Sequence, residues 1–348
     1  MAVEVDIFNP QTSVIARGLD GKVLMIYGGN NLGKSYACAH ADKPFFMACE
    51  SGLNGLAGVK YNRIGNWADF KKVVRQFTDK RTVDKAKEMY HTIVIDEVYA
   101  SSIFCQDYIC QRLGITSFGE NENSKVNAWQ EYEKEYWREI NKLVNSGFTV
   151  IFIAHAEEKD GYTRPKGDKR CLNPIIDNCD IVAYVKSNGV DENGNEIKSS
   201  AYFVQTEQFF ARSRYTKMVP SIQLFSIENL TEALNNAIDA EVKETGIEAV
   251  TFEEQKAQNT NVRKSYDELM QQVGEVGLKY IYAVEPNYGS PDQSPDERKE
   301  ERGKKALQKI SDKVLGLGKD IRTMEPGQEE VIEVWIMAVE DAIAALEG

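Results

Sequence analysis

The chain has no cysteine framework. Its six cysteines, Cys38, Cys49, Cys105, Cys110, Cys171 and Cys179, are scattered over 348 residues with neither a C-x-x-C nor a Cys/His cluster at zinc spacing. That excludes a disulfide scaffold and a zinc finger, and leaves buried or free thiols in a reducing cytoplasm. No apolar run approaches the length of a membrane span, so no membrane association is expected. The opening Met-Ala-Val-Glu-Val-Asp lacks a basic region leading into an apolar one, so no signal peptide is expected either. There is no internal repeat. Positive charge is also short: 42 Lys and Arg face 54 Asp and Glu, for a net −12. Taken alone, this argues against a polyanionic partner. The deficit is uneven, however. Residues 229–348 carry 14 basic and 25 acidic side chains, which leaves residues 1–228 close to neutral and able to hold a locally basic loop.

What is present is a globular composition, 42% hydrophobic with four Trp and sixteen Tyr. The length allows one large core plus an appendage, or two modest domains. The most informative stretch is Gly28-Gly29-Asn30-Asn31-Leu32-Gly33-Lys34-Ser35, a complete G-x-x-x-x-G-K-S phosphate-binding loop. The apolar run Val23–Tyr27 feeds it as a strand would. The small-residue segment from Tyr36 to Ala41 leaves it as a helix, until Pro44 forbids continuation. In that context the backbone N–H groups curl around a β-phosphate and Lys34 reaches the β/γ oxygens. Ser35 ligates Mg²⁺, and the helix N-terminus adds its dipole. Residues 28–36, Tyr36 included, are therefore the expected ATP-binding set.

Strand-like runs alternate with helical ones from Lys22 onward. Residues 22–27, 44–50, 92–98 and 148–154 read as buried strands. Asn66 caps a helix with Trp67, Phe70, Val73, Val74 and Phe77 on one face. A second helix, about 126–144, carries Trp129, Tyr132, Tyr136, Ile140 and Leu143 as a core stripe. This alternation predicts a mainly parallel sheet covered by helices. Residues 181–186 and 200–210, joined by the turn-rich 191–196, then predict an antiparallel hairpin. From about Leu230 the chain reads as helical to its end, with breaks at 285–291 and 326–327. The expected division is a core over 1–235 and an acidic, mainly helical region over 236–348.

Thr92-Ile93-Val94-Ile95-Asp96-Glu97 has the form of a Walker B strand, delivering Asp96 to the metal opposite Ser35. Hydrolysis also needs a group to position the attacking water, and two carboxylates compete. Glu97 stands where AAA+ machines keep theirs, and Glu50, at the end of Phe45–Cys49, where RecA-type ATPases keep theirs. His155, at the tip of the 148–154 strand, is placed to sense a γ-phosphate. The segment after it, 159–170, supplies Lys159, Tyr162, Arg164, Lys166, Lys169 and Arg170 as a flexible basic loop for single-stranded DNA: cations for phosphates and a ring for a base. A second polar loop, 114–125, could face the same strand. Arg212 and Arg214 close the last hairpin strand, where an oligomer could use them as arginine fingers.

Gly28–Ser35, Phe46–Glu50, Ile93–Asp96, Ile151–His155 and Phe210–Arg214 together make the chain resemble the RecA/RadA superfamily over roughly residues 5–235. More narrowly, it resembles compact phage ATP-binding proteins that act as single-strand annealing recombinases. The resemblance implies an α/β RecA-like P-loop NTPase, its sheet extended by an antiparallel hairpin and followed by a helical appendage. It also implies Mg²⁺-dependent ATP hydrolysis at interfaces of a homo-oligomeric ring or filament. Single-stranded DNA and a single-strand-binding protein are the implied partners, in the cytoplasm of a bacterial or phage-infected cell. Two rivals remain open: an AAA+-like helicase loader or DNA motor, and a nucleotide-gated scaffold that binds no DNA.

Overall fold

The computed structural model describes residues 7–121, 126–195, 197–259, 263–290 and 301–347. Apolar runs stopped by polar or glycine residues form the central strands, and short polar segments form the marginal ones. They are β1 (Val23–Gly28), β2 (Pro44–Ala48), β3 (Lys60–Arg63), β4 (Thr92–Asp96) and β5 (Thr149–Lys159). After them come β6 (Tyr162–Pro165), β7 (Ile181–Lys186), β8 (Ser200–Tyr202), β9 (Arg212–Ser213) and β10 (Ser221–Ile222). They build one ten-stranded sheet in the order β10-β8-β7-β1-β5-β4-β2-β3, with β6 paired to β5 and β9 to β7. β3, β2, β4, β5, β1 and β7 run parallel, and the remaining strands are antiparallel to their neighbours.

The two-residue period of a strand sorts side chains between two cores. Met25, Tyr27, Met47, Ile95 and Phe152 point to one face, while Leu24, Ile26, Phe46, Val94 and Ile151 point to the other. In chain order the helices of this part are α1 (Lys34–Ala39), α2 (Trp67–Thr78), α3 (Val83–Met89), α4 (Val98–Leu113), α5 (Ala128–Val144), α6 (Lys169–Asn178), α7 (Ile227–Thr245) and α8 (Phe252–Asn259). The first core takes buried residues from α2, α4, α5 and α6, and the second takes them from α1 and α7. The result is a mostly parallel sheet between two helical layers, as a P-loop NTPase requires. α2 follows its sequence pattern closely. The Asn66 side chain accepts from the Asp69 N–H at 2.9 Å, and Trp67, Phe70, Val73, Val74 and Phe77 are all buried.

Four expectations need correction. One compact unit is Pro10–Gln258 and the other joins Met1–Asn9 to Asn259–Gly348, so the boundary falls at 258 and not at 235. The cause is packing: Ile227, Leu230, Leu234 and Ile238 of α7 complete the second core, and Val250 pairs with Ala16. The 200–210 strand is interrupted. β8 pairs with Tyr184–Lys186 and β9 with Ile181–Val182, while residues 203–211 leave the sheet between them. Phe209 is drawn off by Tyr184, with ring centroids 4.7 Å apart. The strand expected to end at Ala154 continues to Lys159, and much of the expected basic loop is therefore regular structure. The second helix begins at Ala128, with Asn127 as its cap, and its Trp129 is 36% exposed while Tyr132 and Tyr136 are buried. Glu196, Pro291 and residues 122–125 of the second polar loop lie outside the described residues.

The C-terminal unit holds α9 (Tyr266–Val284), α10 (Arg302–Leu315) and α11 (Glu329–Glu347). Leu269, Val273, Ile332, Trp335, Ile336 and Val339 form its core. The Trp335 indole donates to Ser311 Oγ at 2.9 Å, so its one polar atom is satisfied inside that core. No helix among the described residues is long and apolar enough to cross a membrane.

Candidate functional site

The phosphate-binding loop joins β1 to α1 at the C-terminal edge of the sheet, where parallel α/β proteins place their ligands. Two backbone demands explain its glycines. A Cβ on Gly28 would lie 2.3 Å from the Val185 carbonyl oxygen on the neighbouring strand, and Gly33 has φ 77°. Asn31 is also left-handed, at φ 58°, a conformation asparagine tolerates. Lys34 Nζ donates to the carbonyls of Gly28 and Gly29 at 3.1 and 2.5 Å. Burial lowers its pKa, opposed by the nearby charges of Asp96 and Glu50.

Ser35 Oγ donates to Asp96 Oδ2 at 2.7 Å, so the expected metal pair is assembled. Burial raises the Asp96 pKa, and the Ser35 hydrogen bond pulls it back. A hydroxyl and a carboxylate, both hard oxygen donors, suit Mg²⁺. Tyr36, 61% exposed, lies tilted against the His40 ring with centroids 4.6 Å apart. With Asn31, Leu32 and Gly33 it forms one wall of an open cleft of about 670 Å³. Lys198, Ser199 and Leu224–Asn229 form the opposite wall, which sequence reasoning missed because it comes from connections far along the chain.

β5 lies between β1 and β4, and His155, where its pairing with β1 ends at Gly28, comes between the phosphate-binding loop and Asp96. His155 Nε2 is 3.3 Å from Glu50 Oε1, and the ligating atoms of Glu50, Glu97 and His155 all lie within 4.8 Å of one another. His155 Nδ1 is buried and has no hydrogen-bond partner among the described residues. The two candidate acids differ sharply. The Glu50 side chain is 37% exposed. Glu97 is 2% exposed, and its oxygens accept from the N–H groups of Tyr99 and Ala100 at 3.2 and 2.9 Å. Glu97 is thus the N-cap of α4, with one lone pair of each oxygen committed to the helix.

Burial raises the Glu97 pKa, with the two capping hydrogen bonds pulling the other way. A carboxyl whose folded pKa lies above its unfolded value costs stability once the pH exceeds the folded value. The cost disappears as the pH falls below the unfolded one. Glu97→Gln keeps one of the two acceptors of the cap and removes the buried charge, the larger of the two effects at high pH. It is therefore expected to melt about 2 °C above the wild type at pH 8, a gap that closes as the pH falls through the raised pKa toward the ordinary carboxylate range. Paired thermal melts across pH read this out.

Beyond His155, β5 turns at Asp160 and Gly161, with φ 55° and 75°, into β6, and the Lys166 N–H donates to the His155 carbonyl at 2.8 Å. The expected DNA-binding residues are therefore not on an open loop. Lys159 and Tyr162 face each other across the turn. Arg164 Nε is 2.8 Å from Glu157 Oε1. Lys166 lies 4.8 Å over the ring of Tyr99. Lys169 and Arg170 open α6, with the Arg170 guanidinium 4.4 Å over the ring of Trp129. The hairpin is also tied to the 203–211 excursion. Thr163 exchanges backbone hydrogen bonds with Gln208 and Phe210, and the Tyr27 hydroxyl donates to the Phe210 carbonyl.

Arg212 and Arg214 are the exception. Arg212 pairs with Val182, and the Arg214 N–H donates to the Asp180 carbonyl, at the start of β7. Since β7 runs parallel to β1, that is the sheet edge opposite the phosphate-binding loop. Arg214 is also held by the Asp177 carbonyl at 2.6 Å and the Asp180 carboxylate at 3.7 Å. Within one chain neither arginine joins the nucleotide site.

A family model described as an AAA domain matches residues 20–215, which takes in the phosphate-binding loop, Asp96 and His155. The chain belongs to that family. The SPbeta prophage-derived uncharacterized protein YorG of Bacillus subtilis (strain 168) is 43% identical over 341 residues, covering 98% of this chain and 99% of that protein. A P-loop ATPase-type domain of this family, with a phage-derived relative of matching length, is what fold, site and comparisons agree on. The match to the AAA domain ends before α7 and the C-terminal helical unit.

Proposed function

We propose that this AAA-family chain is a RecA-like ATPase that binds single-stranded DNA. It would serve phage recombination or repair as an annealing protein, hydrolysing ATP between copies of itself. The observation that carries the reading is the pairing of Glu50 with His155 on β5, together with the hydrogen bond from Lys166 N–H to the His155 carbonyl. One residue thereby links a carboxylate at the phosphate site to a hairpin that carries basic side chains.

In this reading the loop N–H groups and Lys34 hold the β- and γ-phosphates. Ser35 and Asp96 hold Mg²⁺, which when bound neutralises charge developing on the phosphate oxygens. Glu50 accepts a proton from the attacking water as its oxygen bonds to the γ-phosphorus. The bond to the bridging oxygen breaks, and ADP leaves. The exposure of Glu50, against the buried cap made by Glu97, supports this division of labour. Loss of the γ-phosphate frees His155, and the hairpin it anchors loosens its hold on DNA. Arg212 and Arg214 would serve only a neighbour's nucleotide, since they face away from their own.

A second reading, an AAA-type loader or motor, is favoured by the description of the matching family. It assigns the water to Glu97. A third, a nucleotide-gated scaffold, binds no DNA at all. Filter retention of a labelled single strand with ATP, across a salt series, separates them. The account expects a steep negative salt slope that flattens by about three charges' worth in a Lys166/Lys169/Arg170 triple alanine variant. No retention at low salt would remove the DNA-binding reading.

A further inference from the structure

Lys166, Lys169 and Arg170 are exposed, and they sit where α6 begins. α6 carries the chain from the hairpin back to the start of β7, so its first turn lies at the same sheet edge as the phosphate-binding loop. Arg164 is paired with Glu157 and Lys159 lies away at the β5–β6 turn, so Lys166, Lys169 and Arg170 are the exposed cations gathered at the start of α6. Arg170 is also 3.7 Å from Asp168, whose main task is capping α6 through the Arg170 N–H at 2.8 Å.

Two of the three cations lie over aromatic rings, and the rings belong to other elements. Trp129 opens α5. Phe118 meets it edge-on at 4.7 Å and 86°, which fixes the plane of the indole. The Arg170 guanidinium carbon lies over that ring, 4.4 Å from its centroid. Guanidinium planes stack on aromatic rings, and unpaired bases stack on both, so a guanidinium seated over an indole can extend that stacking surface outward. Lys166 has no such plane. Held 4.8 Å over Tyr99, its ammonium is a point charge suited to a phosphate.

We propose that Arg170, backed by the indole of Trp129, is a base-stacking platform for single-stranded nucleic acid, and that Lys166, steadied over Tyr99, takes a flanking phosphate. The inference rests on the DNA-binding reading above and deepens it, because it replaces Tyr162 as the stacking group. The seat also touches the nucleotide site from two sides. Lys166 is bonded through its N–H to the His155 carbonyl, and the Tyr99 N–H is capped by Glu97.

Binding of a labelled oligo-dT by anisotropy, paired with tryptophan emission, tests it. Trp67 and Trp335 are buried, at 2% and 1% exposure, and Trp137 is half-buried, so Trp129, the most exposed of the four, is the ring placed to respond. The wild type should bind at low salt with quenched emission, and Trp129→Phe should lose the quench. Arg170→Lys keeps the charge and loses the plane. Its affinity should fall about tenfold with the salt slope unchanged. Affinity within about twofold of the wild type in Arg170→Lys, or full quenching in Trp129→Phe, would overturn the platform while leaving DNA binding intact. No binding by the wild type at low salt would overturn the DNA-binding reading itself, and the platform with it.

Discussion

Glu50→Gln is expected to slow phosphate release from ATP by about 10²–10⁴-fold, with nucleotide affinity changed by no more than about threefold. The amide keeps the size of the side chain and its contact with His155 but cannot take the proton. Glu97→Gln should reduce the same rate by less than about tenfold, because Glu97 spends its oxygens on the first turn of α4. Phosphate release measured on both variants decides between them. If Glu97→Gln abolishes turnover and Glu50→Gln does not, the assignment is reversed and the motor-like reading gains.

Gly28→Ala should do comparable damage by a different route. The added methyl would sit 2.3 Å from the Val185 carbonyl oxygen, which belongs to a buried parallel strand pair, so backbone must move and not merely a side chain. Overpacking of this kind costs about 1–3 kcal/mol of stability. The shift also passes directly into the loop that follows Gly28, where a displacement of about 1 Å can cost a hundredfold in rate. Thermal melts and ATP titrations on one preparation should show both losses. Gly58→Ala, at an exposed position with φ 80° and nothing within 4 Å of the added carbon, should cost stability without touching turnover.

The nucleotide half of the site was legible in the sequence because its signals are local. The spacing of Gly28, Gly33, Lys34 and Ser35 and the apolar run into Asp96 each state their own geometry. The hairpin half was hidden by its flanks. Asp160-Gly161 is a strong two-residue turn signal, but it lies between Glu157-Glu158-Lys159 and Tyr162-Thr163-Arg164, where charge masks the strand alternation. Trp129 continues the stripe of Tyr132 and Tyr136 by spacing alone, and only packing shows that the stripe surfaces one turn early. The expected boundary at 235 falls inside α7, whose Leu230, Leu234 and Ile238 belong to the second core. Arg212 and Arg214 look like site residues in a linear reading, because the excursion at 203–211 that displaces them has no signature of its own.

The reading of the molecule turns on coupling between the phosphate site and the hairpin through His155. It is tested most directly by measuring the affinity of the wild type for one labelled single strand in a non-hydrolysable ATP analogue and then in ADP, at fixed salt. The account predicts binding at least about tenfold tighter with the triphosphate, and a difference that collapses in His155→Ala. Equal affinity in the two nucleotides would contradict it.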